Sequence, residues 1–336
     1  MTRHRSGSFL LLILLVSTFI GVVPTAQTRT THTFVAERFY NTFSGAHPAA
    51  LRIKPGDRVI TRTVDAGGTD WNGKQVANGP NPQTGPFFVE GAGPGDMLVV
   101  TIEKLEINRT TAYSGSLLAP YAVDPSSLLA RVDREPRRVT WLLDKAKGIA
   151  RLDGPELGTL ELPLRPMLGC LGVAPARQEA IATTTPGAFG GNMDYAGLNA
   201  GVKVMFAVNV PGALLFLGDG HARQGEGELV GTGLETSLDV EFTVDLVKKT
   251  AIAWPRLENE THIMVLGSER PLMQAFQHAT TEMHRWLMTG YGLSERGAAL
   301  LMGQAAEYEI ANVVDPHFTV VAKMRKSLLA GFKPAP

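Results

Sequence analysis

Carboxylate, amide and imidazole side chains concentrate in one glycine-rich stretch of the 336-residue chain, residues 186–235. They are Asn192, Asp194, Asp219, His221, Glu226 and Glu228. Carboxylates and imidazole bind divalent cations, and glycine lets the backbone turn sharply and approach a ligand closely. The stretch therefore predicts a metal centre carried at the ends of short strands.

The spacing of these residues predicts which side chains meet. In an extended segment Asp219 and His221 point to the same side of the strand. The predicted ion ligands are Asp65, Asp194, His221 and Glu226, and the residues predicted to orient those ligands are Asn192 and Asp219. Zinc suits one imidazole with carboxylates and an open water position, whereas calcium suits a subset of oxygen ligands. We expect zinc first and calcium as the alternative.

Short segments of alternating apolar and polar residues follow Pro-Gly turns, and they predict the strands that position this cluster. Residues 59–64 and 97–107 each follow such a turn, and residues 97–107 also suggest a bulge. Residues 229–246 alternate between apolar and polar side chains, which predicts a half-buried strand with Glu235 on its solvent face. Repeated hairpin-like units of this kind predict stacked antiparallel sheets.

The hydrophobic period changes to that of helices after Pro255. Ser268 is the predicted N-cap of a helix that runs through Leu287, and Ser294 is predicted to start a second helix. The predicted class is α+β, mainly β, with antiparallel β-sandwich-like sheets and a C-terminal helical hairpin packed on a smaller sheet. Residues 27–250 would form the β-rich catalytic region, and residues 251–336 would complete the same domain.

The first residues have the order of a secretory signal peptide. Basic residues at positions 3–5 precede an apolar run over residues 9–23, and small residues follow at Thr25 and Ala26. We expect a signal peptide over about residues 1–26, export to the periplasm or medium, and no stable membrane partner after cleavage.

Composition excludes several classes of partner. The 32 basic residues balance the 32 acidic ones, so no global charge favours nucleic acid, and a small neutral molecule is the expected ligand. A hydrophobic fraction of 44% allows a large core. Cys170 is the only cysteine in the chain, so no internal disulfide can form.

Several phrases, in order along the chain, resemble the acetamidase/formamidase family. They are TVDAGGTD (63–70), NPQTGPFFVEGAGPGDMLVV (81–100), RPMLGCLGVAPA (165–176), PGAFGGNMDY (186–195), VPGALLFLGDGHARQGEGELVGTGLE (210–235) and THIMVLGS (261–268). The resemblance covers about residues 47–322. It implies a metal-dependent hydrolase that converts short linear amides to a carboxylate and ammonia, on a β-rich fold that forms homo-oligomers.

Amide hydrolysis requires a group that takes a proton from water and passes it to the departing nitrogen. We expect Glu228 in that role, with Glu90 as the second candidate. Two alternative functions are a glycoside hydrolase with paired carboxylates and a non-enzymatic, calcium-stabilised β-sandwich that binds a carbohydrate or a partner. The aromatic content of 7% weighs against both sugar-binding readings.

Overall fold

The computed structural model describes residues 1–2, 29–128 and 138–332. The predicted signal peptide, apart from its first two residues, lies outside the described residues. Within the described part, no helix is both long and apolar enough to cross a membrane.

Strands dominate the described chain. The strands are β1 (Thr31–Thr33), β2 (Thr42–Ser44), β3 (Leu51–Ile53), β4 (Arg58–Arg62), β5 (Thr84–Val89), β6 (Met97–Ile107), β7 (Thr111–Ser114), β8 (Val139–Asp144), β9 (Ile149–Gly154), β10 (Gly158–Pro163), β11 (Met167–Val173), β12 (Ala180–Ala182), β13 (Gly190–Asn192), β14 (Lys203–Ala207), β15 (Leu215–His221), β16 (Glu235–Thr236), β17 (Leu238–Val247), β18 (Arg256–Glu258), β19 (His262–Glu269), β20 (Glu307–Asn312) and β21 (Phe318–Arg325). The α-helices are α1 (Pro125–Leu128), α2 (Leu272–Tyr291), α3 (Glu295–Ala305) and α4 (Lys326–Leu329), with a short 3-10 helix at Pro120–Ala122.

Two large sheets organise the molecule. The nine-stranded sheet has the order β1-β4-β17-β6-β14-β18-β19-β21-β20. The ten-stranded sheet has the order β10-β9-β8-β7-β16-β15-β11-β13, with β5 also beside β15 and β3 beside β5. Nearly all neighbours in the two sheets are antiparallel, and β1 with β4 and β3 with β5 are the parallel pairs in the described chain. The mainly β, α+β prediction is confirmed.

The main hydrophobic core lies between the two sheets. Alternate residues of a strand face opposite sides, so each sheet can bury one full row of apolar side chains. Phe242 of β17 meets Phe87 of β5 across this interface, with ring centroids 5.2 Å apart. Leu98 of β6 and Leu217 of β15 belong to the same core. This layer holds the strands that carry the candidate site.

The helices α2 and α3 cover the opposite face of the nine-stranded sheet. On β19, Met264 and Leu266 join the core between the sheets, whereas Ile263 and Val265 pack in the core beneath the helices. We predicted that the helical hairpin packs on a smaller sheet, and the nine-stranded sheet is the smaller of the two large ones. The pairing of β14 with β18 makes the strands under the helices continuous with the rest of this sheet.

The predicted start of the first helix was wrong. Ser268 lies inside β19, where its hydroxyl is 3.0 Å from that of Thr319, and α2 begins only at Leu272. Ser268 adopts the strand conformation because it is paired with Thr319 in the ladder between β19 and β21. The second predicted cap is confirmed, since the Ser294 hydroxyl accepts a hydrogen bond from the Gly297 N–H.

Candidate functional site

Strand β15 brings two of the predicted polar residues into the buried layer. Asp219 and His221, two residues apart, are 4% and 0% exposed. The Nε2 atom of His221 lies 3.4 Å from Asp219 Oδ1. The two side chains converge, as the period of an extended strand predicts.

Glu235 of β16 lies opposite His221 in the pairing of β15 with β16. Its Oε1 atom is 3.0 Å from His221 Nε2, and the residue is 2% exposed. Our prediction of a solvent-facing Glu235 was therefore wrong. The alternating segment does not form one strand, because the chain leaves the ten-stranded sheet after Thr236 and enters the nine-stranded sheet at Leu238.

Asp194 and Asp315 are joined by one amide. Asn192 Nδ2 donates to Asp194 Oδ2 at 2.6 Å and to Asp315 Oδ2 at 2.8 Å. Asp194 follows β13, and Asp315 lies on the loop between β20 and β21. The Asn192 amide therefore orients two carboxyl groups that come from distant parts of the chain.

Glu228 reaches the cluster from the glycine-rich loop after β15. Gly227 pairs with Asn312 in an isolated parallel bridge, which fixes this loop against the end of β20. Ligand atoms of Asp194, His221 and Glu228 all lie within 4.8 Å of one another, as do those of Asp219, His221 and Glu235. The two groups share a single imidazole.

Three of these acidic residues have left-handed backbones. The φ angles are 44° at Asp194, 57° at Asp219 and 50° at Glu228. This conformation costs a residue with a side chain about 1–2 kcal/mol relative to the right-handed region. The surrounding structure therefore holds these carboxyl groups in positions that the local backbone would not choose.

Burial changes the protonation of the carboxyl groups. Burial, followed by the negative charges of Glu228 and Asp315, raises the pKa of Asp194 well above its ordinary value. Burial and the charge of Asp315 do the same to the pKa of Glu228. Burial also raises the pKa of Glu235 to about 7, although His221 opposes that change. Buried carboxyl groups thus outnumber the one imidazole available to neutralise them.

Gln224 determines which nitrogen of His221 carries a proton. Its Nε2 donates to the backbone oxygens of Asp194 (2.5 Å) and Ala311 (3.2 Å), so its Oε1 faces His221 Nδ1 at 2.9 Å. Nδ1 must therefore be the donor, and in the neutral ring the lone pair of Nε2 faces Glu235 and Asp219. A lone pair facing two carboxyl groups requires a proton or a cation between them.

Several buried atoms at this point lack a hydrogen-bond partner among the described residues: His221 Nε2, Asp194 Oδ1 and Glu235 Oε2. Gly169 lets these carboxyl groups approach its strand closely, because a Cβ atom there would lie 2.4 Å from both Asp194 Oδ1 and Asp219 Oδ2. Buried polar atoms without partners are costly unless they coordinate an ion. The donor set of one imidazole nitrogen with carboxylate oxygens fits a divalent cation.

Three predicted site residues lie outside both groups of converging ligand atoms. Asp65 is buried, but its Oδ1 accepts backbone N–H groups of Gly67 and Thr69 and its Oδ2 pairs with Arg109 at 2.8 Å. Glu226 is exposed. Glu90 is a partly exposed residue whose carboxylate lies 3.9 Å from Arg52. The structure brings together Asp194, His221, Glu228, Asn192 and Asp219 from the predicted set.

Sequence reasoning missed Glu235, Asp315 and Gln224. Glu235 is the last residue of the phrase at 210–235 that carries the family resemblance. Its place in that phrase could have indicated that it belongs to the site. Gln224 stands three residues after His221 but looks like an ordinary loop residue. Asp315 comes from a loop far along the chain, and local spacing gives no indication of it.

The chain is similar to known amidases. A model described as the Acetamidase/Formamidase family matches residues 172–322. A formamidase from Methylophilus methylotrophus is 25% identical over 259 residues, which are 60% of this chain and 62% of that protein. The chain thus spans about three fifths of the length of the curated relatives it matches.

Solved structures extend the similarity to almost the whole chain. The crystal structure of an acetamidase from Yersinia enterocolitica superposes with a TM-score of 0.79 at 31% identity, over 90% of this chain and 94% of that one. An acetamidase from Bacillus halodurans gives a TM-score of 0.77 at 28% identity, over 89% of this chain and 99% of that one. Every residue of the cluster around His221 lies inside the stretch that the family model matches.

Proposed function

The chain belongs to the acetamidase/formamidase family, and from this premise we propose that it hydrolyses short linear amides to a carboxylate and ammonia. The observation that carries the proposal is the buried cluster around His221, where a nitrogen lone pair and carboxylate oxygens converge without partners in the described chain. Such a cluster provides both an ion site and groups that can move protons.

We further propose that His221, Asp219 and Glu235 hold a divalent cation, with zinc as the first choice and calcium as the alternative. Two ligand atoms on one tetrahedral zinc ion, each about 2.0–2.1 Å from it, lie about 3.3 Å apart. His221 Nε2 is 3.4 Å from Asp219 Oδ1 and 3.0 Å from Glu235 Oε1, which agrees with that separation. A bound cation of this kind acts as a Lewis acid toward a carbonyl oxygen and acidifies water.

Asp194 lies beside Asp219 at Gly169, since a Cβ atom there would be 2.4 Å from an oxygen of each residue. Its Oδ1 has no hydrogen-bond partner among the described residues, its Oδ2 accepts a hydrogen bond from Asn192, and a ligand atom of Asp194 lies within 4.8 Å of one of His221. Asp194 can therefore serve as an additional ligand or orient a water molecule by accepting a hydrogen bond. The Asn192 amide occupies Oδ2 and leaves Oδ1 available in either case.

Glu228 is the proposed proton carrier. Its carboxyl group is buried, its backbone is held in a left-handed conformation, and burial raises its pKa well above the ordinary value. A buried carboxyl group with a raised pKa binds a proton more strongly than a solvated one, so it can accept a proton from water and return it to the departing nitrogen. A partly exposed Glu90 has neither the burial nor the neighbours for this role.

A panel of purified variants tests the proposal. Ammonia release from formamide and acetamide should require bound metal and should disappear with a chelator. His221→Ala should lose the metal, whereas Glu228→Gln should keep it and lose about 10²–10⁴-fold in turnover. Glu226→Gln is the matched control, since Glu226 is an exposed acid of the same loop. Full turnover in Glu228→Gln, or in wild-type enzyme that binds no metal, would contradict the mechanism.

Export is also proposed. The order of basic, apolar and small residues over about residues 1–26 supports a secretory signal. Expression of the full chain in a bacterial host, followed by fractionation and N-terminal sequencing, should find the protein shortened near residue 26 outside the cytoplasm. An intact N-terminus in the cytoplasmic fraction would refute export.

A further inference from the structure

A guanidinium group lies over two neighbouring aromatic rings beside the Asp315 loop. The Arg270 Cζ atom is 4.2 Å from the ring centroid of Tyr121 and 4.4 Å from that of Phe318. The two rings are themselves 5.9 Å apart between centroids. Arginine in such a position gains from stacking and from the attraction between a cation and an aromatic face. We call Tyr121, Arg270 and Phe318 the arginine clasp.

The clasp joins segments that carry residues of the cluster. Tyr121 belongs to a segment held to the Glu228 loop, because the Ala119 N–H donates to the Leu229 carbonyl at 2.7 Å. Arg270 directly follows β19, and Phe318 begins β21 a few residues after Asp315. The clasp therefore connects the loops that bear Glu228 and Asp315.

Arg270 also contacts the Asp315 residue directly. Its Nη2 atom donates to the backbone oxygen of Asp315 at 2.5 Å, while Asn192 donates to the side-chain Oδ2. His317, on the same loop, bonds to the Pro186 carbonyl at 3.1 Å and lies 3.3 Å from Glu269. Asp315 is thus fixed at its backbone by Arg270 and at its carboxyl group by Asn192.

We propose that Arg270 is a positioning residue for amide hydrolysis, which holds the Asp315 carboxyl group against Asn192 and beside Asp194. The inference rests on the proposed function, because Asp315 matters for turnover only if this cluster is the reaction site. Without the Arg270 guanidinium, the Asp315 loop loses the hydrogen bond to its backbone, and the contacts of Arg270 with the rings of Tyr121 and Phe318 are lost as well. Asp315 would then leave its position next to Asp194, and Asn192 would lose one of its acceptors.

Arg270→Met removes the guanidinium but keeps an unbranched side chain of similar reach. We expect kcat for formamide or acetamide to fall about 10- to 100-fold, since small misplacements near a reacting group can cost about 10²-fold. KM, metal content and the circular dichroism spectrum should change little. Arg270→Lys, which keeps the charge and a donor, should recover part of the loss. Unchanged kcat in Arg270→Met would overturn the proposal.

The matched control is Arg52→Met. Arg52 also lies over an aromatic ring, 3.8 Å from the centroid of Phe88, but it stands on the surface beside Glu90. Its replacement removes the same kind of contact away from the cluster and should leave kcat at the wild-type value. An equal loss in both variants would show a general effect on stability and would count against positioning by Arg270.

A double-mutant cycle separates positioning from a general structural effect. If Arg270 acts through Asp315, Arg270→Met should cost little more activity in an Asp315→Asn background. Independent, multiplying losses would refute the link between the two residues.

Hydrogen exchange provides a readout that does not need activity. Backbone amides of Val313, Val314, Asp315 and His317 should exchange at least about tenfold faster in Arg270→Met than in wild type, while those of the sheets stay unchanged. Unchanged exchange in this loop would overturn the proposal even if no amide is hydrolysed. Wild-type protein that binds metal but releases no ammonia would instead refute the proposed function alone.

Discussion

At the scale of single residues, Gly169 determines how closely the two carboxyl groups of the cluster can approach. It lies in β11 next to β15, and its missing side chain leaves the space where Asp194 and Asp219 face each other. A methyl group there would lie 2.4 Å from an oxygen of each residue, closer than real Cβ contacts allow. Glycine is therefore required here by close approach.

Replacement of Gly169 by alanine should abolish metal binding. The added methyl group fills the space beside the unpartnered Asp194 Oδ1, so bound zinc per chain and ammonia release should both fall about 100-fold or more. Gly154→Ala is the control, because nothing lies within 4 Å of a Cβ atom at that position. Gly169→Ala protein with a full complement of zinc would contradict this account of the site.

The sequence predicts the local part of the cluster better than its long-range part. Asp219 and His221 are two residues apart on β15, so strand geometry predicts that their side chains share one side. The left-handed backbone of Asp219 is a further condition that this geometry does not predict. Glu235 could not be placed, because its direction depends on where the chain changes sheets. The position of Asp315 depends on the pairing of β20 with β21 and of Gly227 with Asn312. No local sequence pattern indicates either pairing. The metal and catalytic roles stay predictions.

At the scale of elements, Asp57 ties the turn between β3 and β4 to β1. Its carboxylate accepts hydrogen bonds from the Lys54 N–H at 2.8 Å and the Thr30 N–H at 3.2 Å, and it lies 2.9 Å from His32 Nε2. Burial alone would raise the pKa of Asp57, but these bonds from Lys54, His32 and Thr30 outweigh it and lower the pKa.

The stability that Asp57 contributes should depend on pH. A carboxyl group with a lowered folded-state pKa stabilises the protein above its unfolded pKa, about 3.9, and the contribution is lost as pH falls through the folded value. Asp57→Asn should therefore reduce the free energy of unfolding by about 1–3 kcal/mol at pH 7, and the difference from wild type should shrink below about pH 4. Urea unfolding of both proteins between low pH and pH 7 measures the difference in their free energies of unfolding. A difference that does not change with pH would contradict the role given to the Asp57 carboxylate.

Elements with strong local patterns were predicted well. Strand β6 spans Met97–Ile107 as the alternation indicates, and the suspected bulge is confirmed by the register shift between β6 and β17 at Glu241 and Phe242. Ser268 shows the limit, because a good capping residue was overridden by pairing with a strand that comes 51 residues later. Pairing with a distant strand determines the secondary structure of such residues. No local pattern in the sequence indicates that pairing.

At the scale of the whole molecule, the proposed cation would connect segments that are far apart in the chain. An ion bound only by the folded protein stabilises it by about 2.7 kcal/mol at a free concentration 100 times its Kd. Zinc should therefore raise the melting temperature of chelator-treated wild-type protein but not that of His221→Ala. Calorimetry with and without zinc makes the comparison, and an equal shift in both proteins would place the ion elsewhere.

The left-handed backbones at Asp194, Asp219 and Glu228 have an implication for laboratory evolution. Glycine adopts this conformation without the steric cost that a side chain incurs, so exchanging any of these acids for glycine removes strain and buried charge together. Selection for thermal stability alone would thus favour variants that have lost these acids. Such variants would be more stable than the wild-type protein but inactive. Only simultaneous selection for turnover would keep the three acids in place.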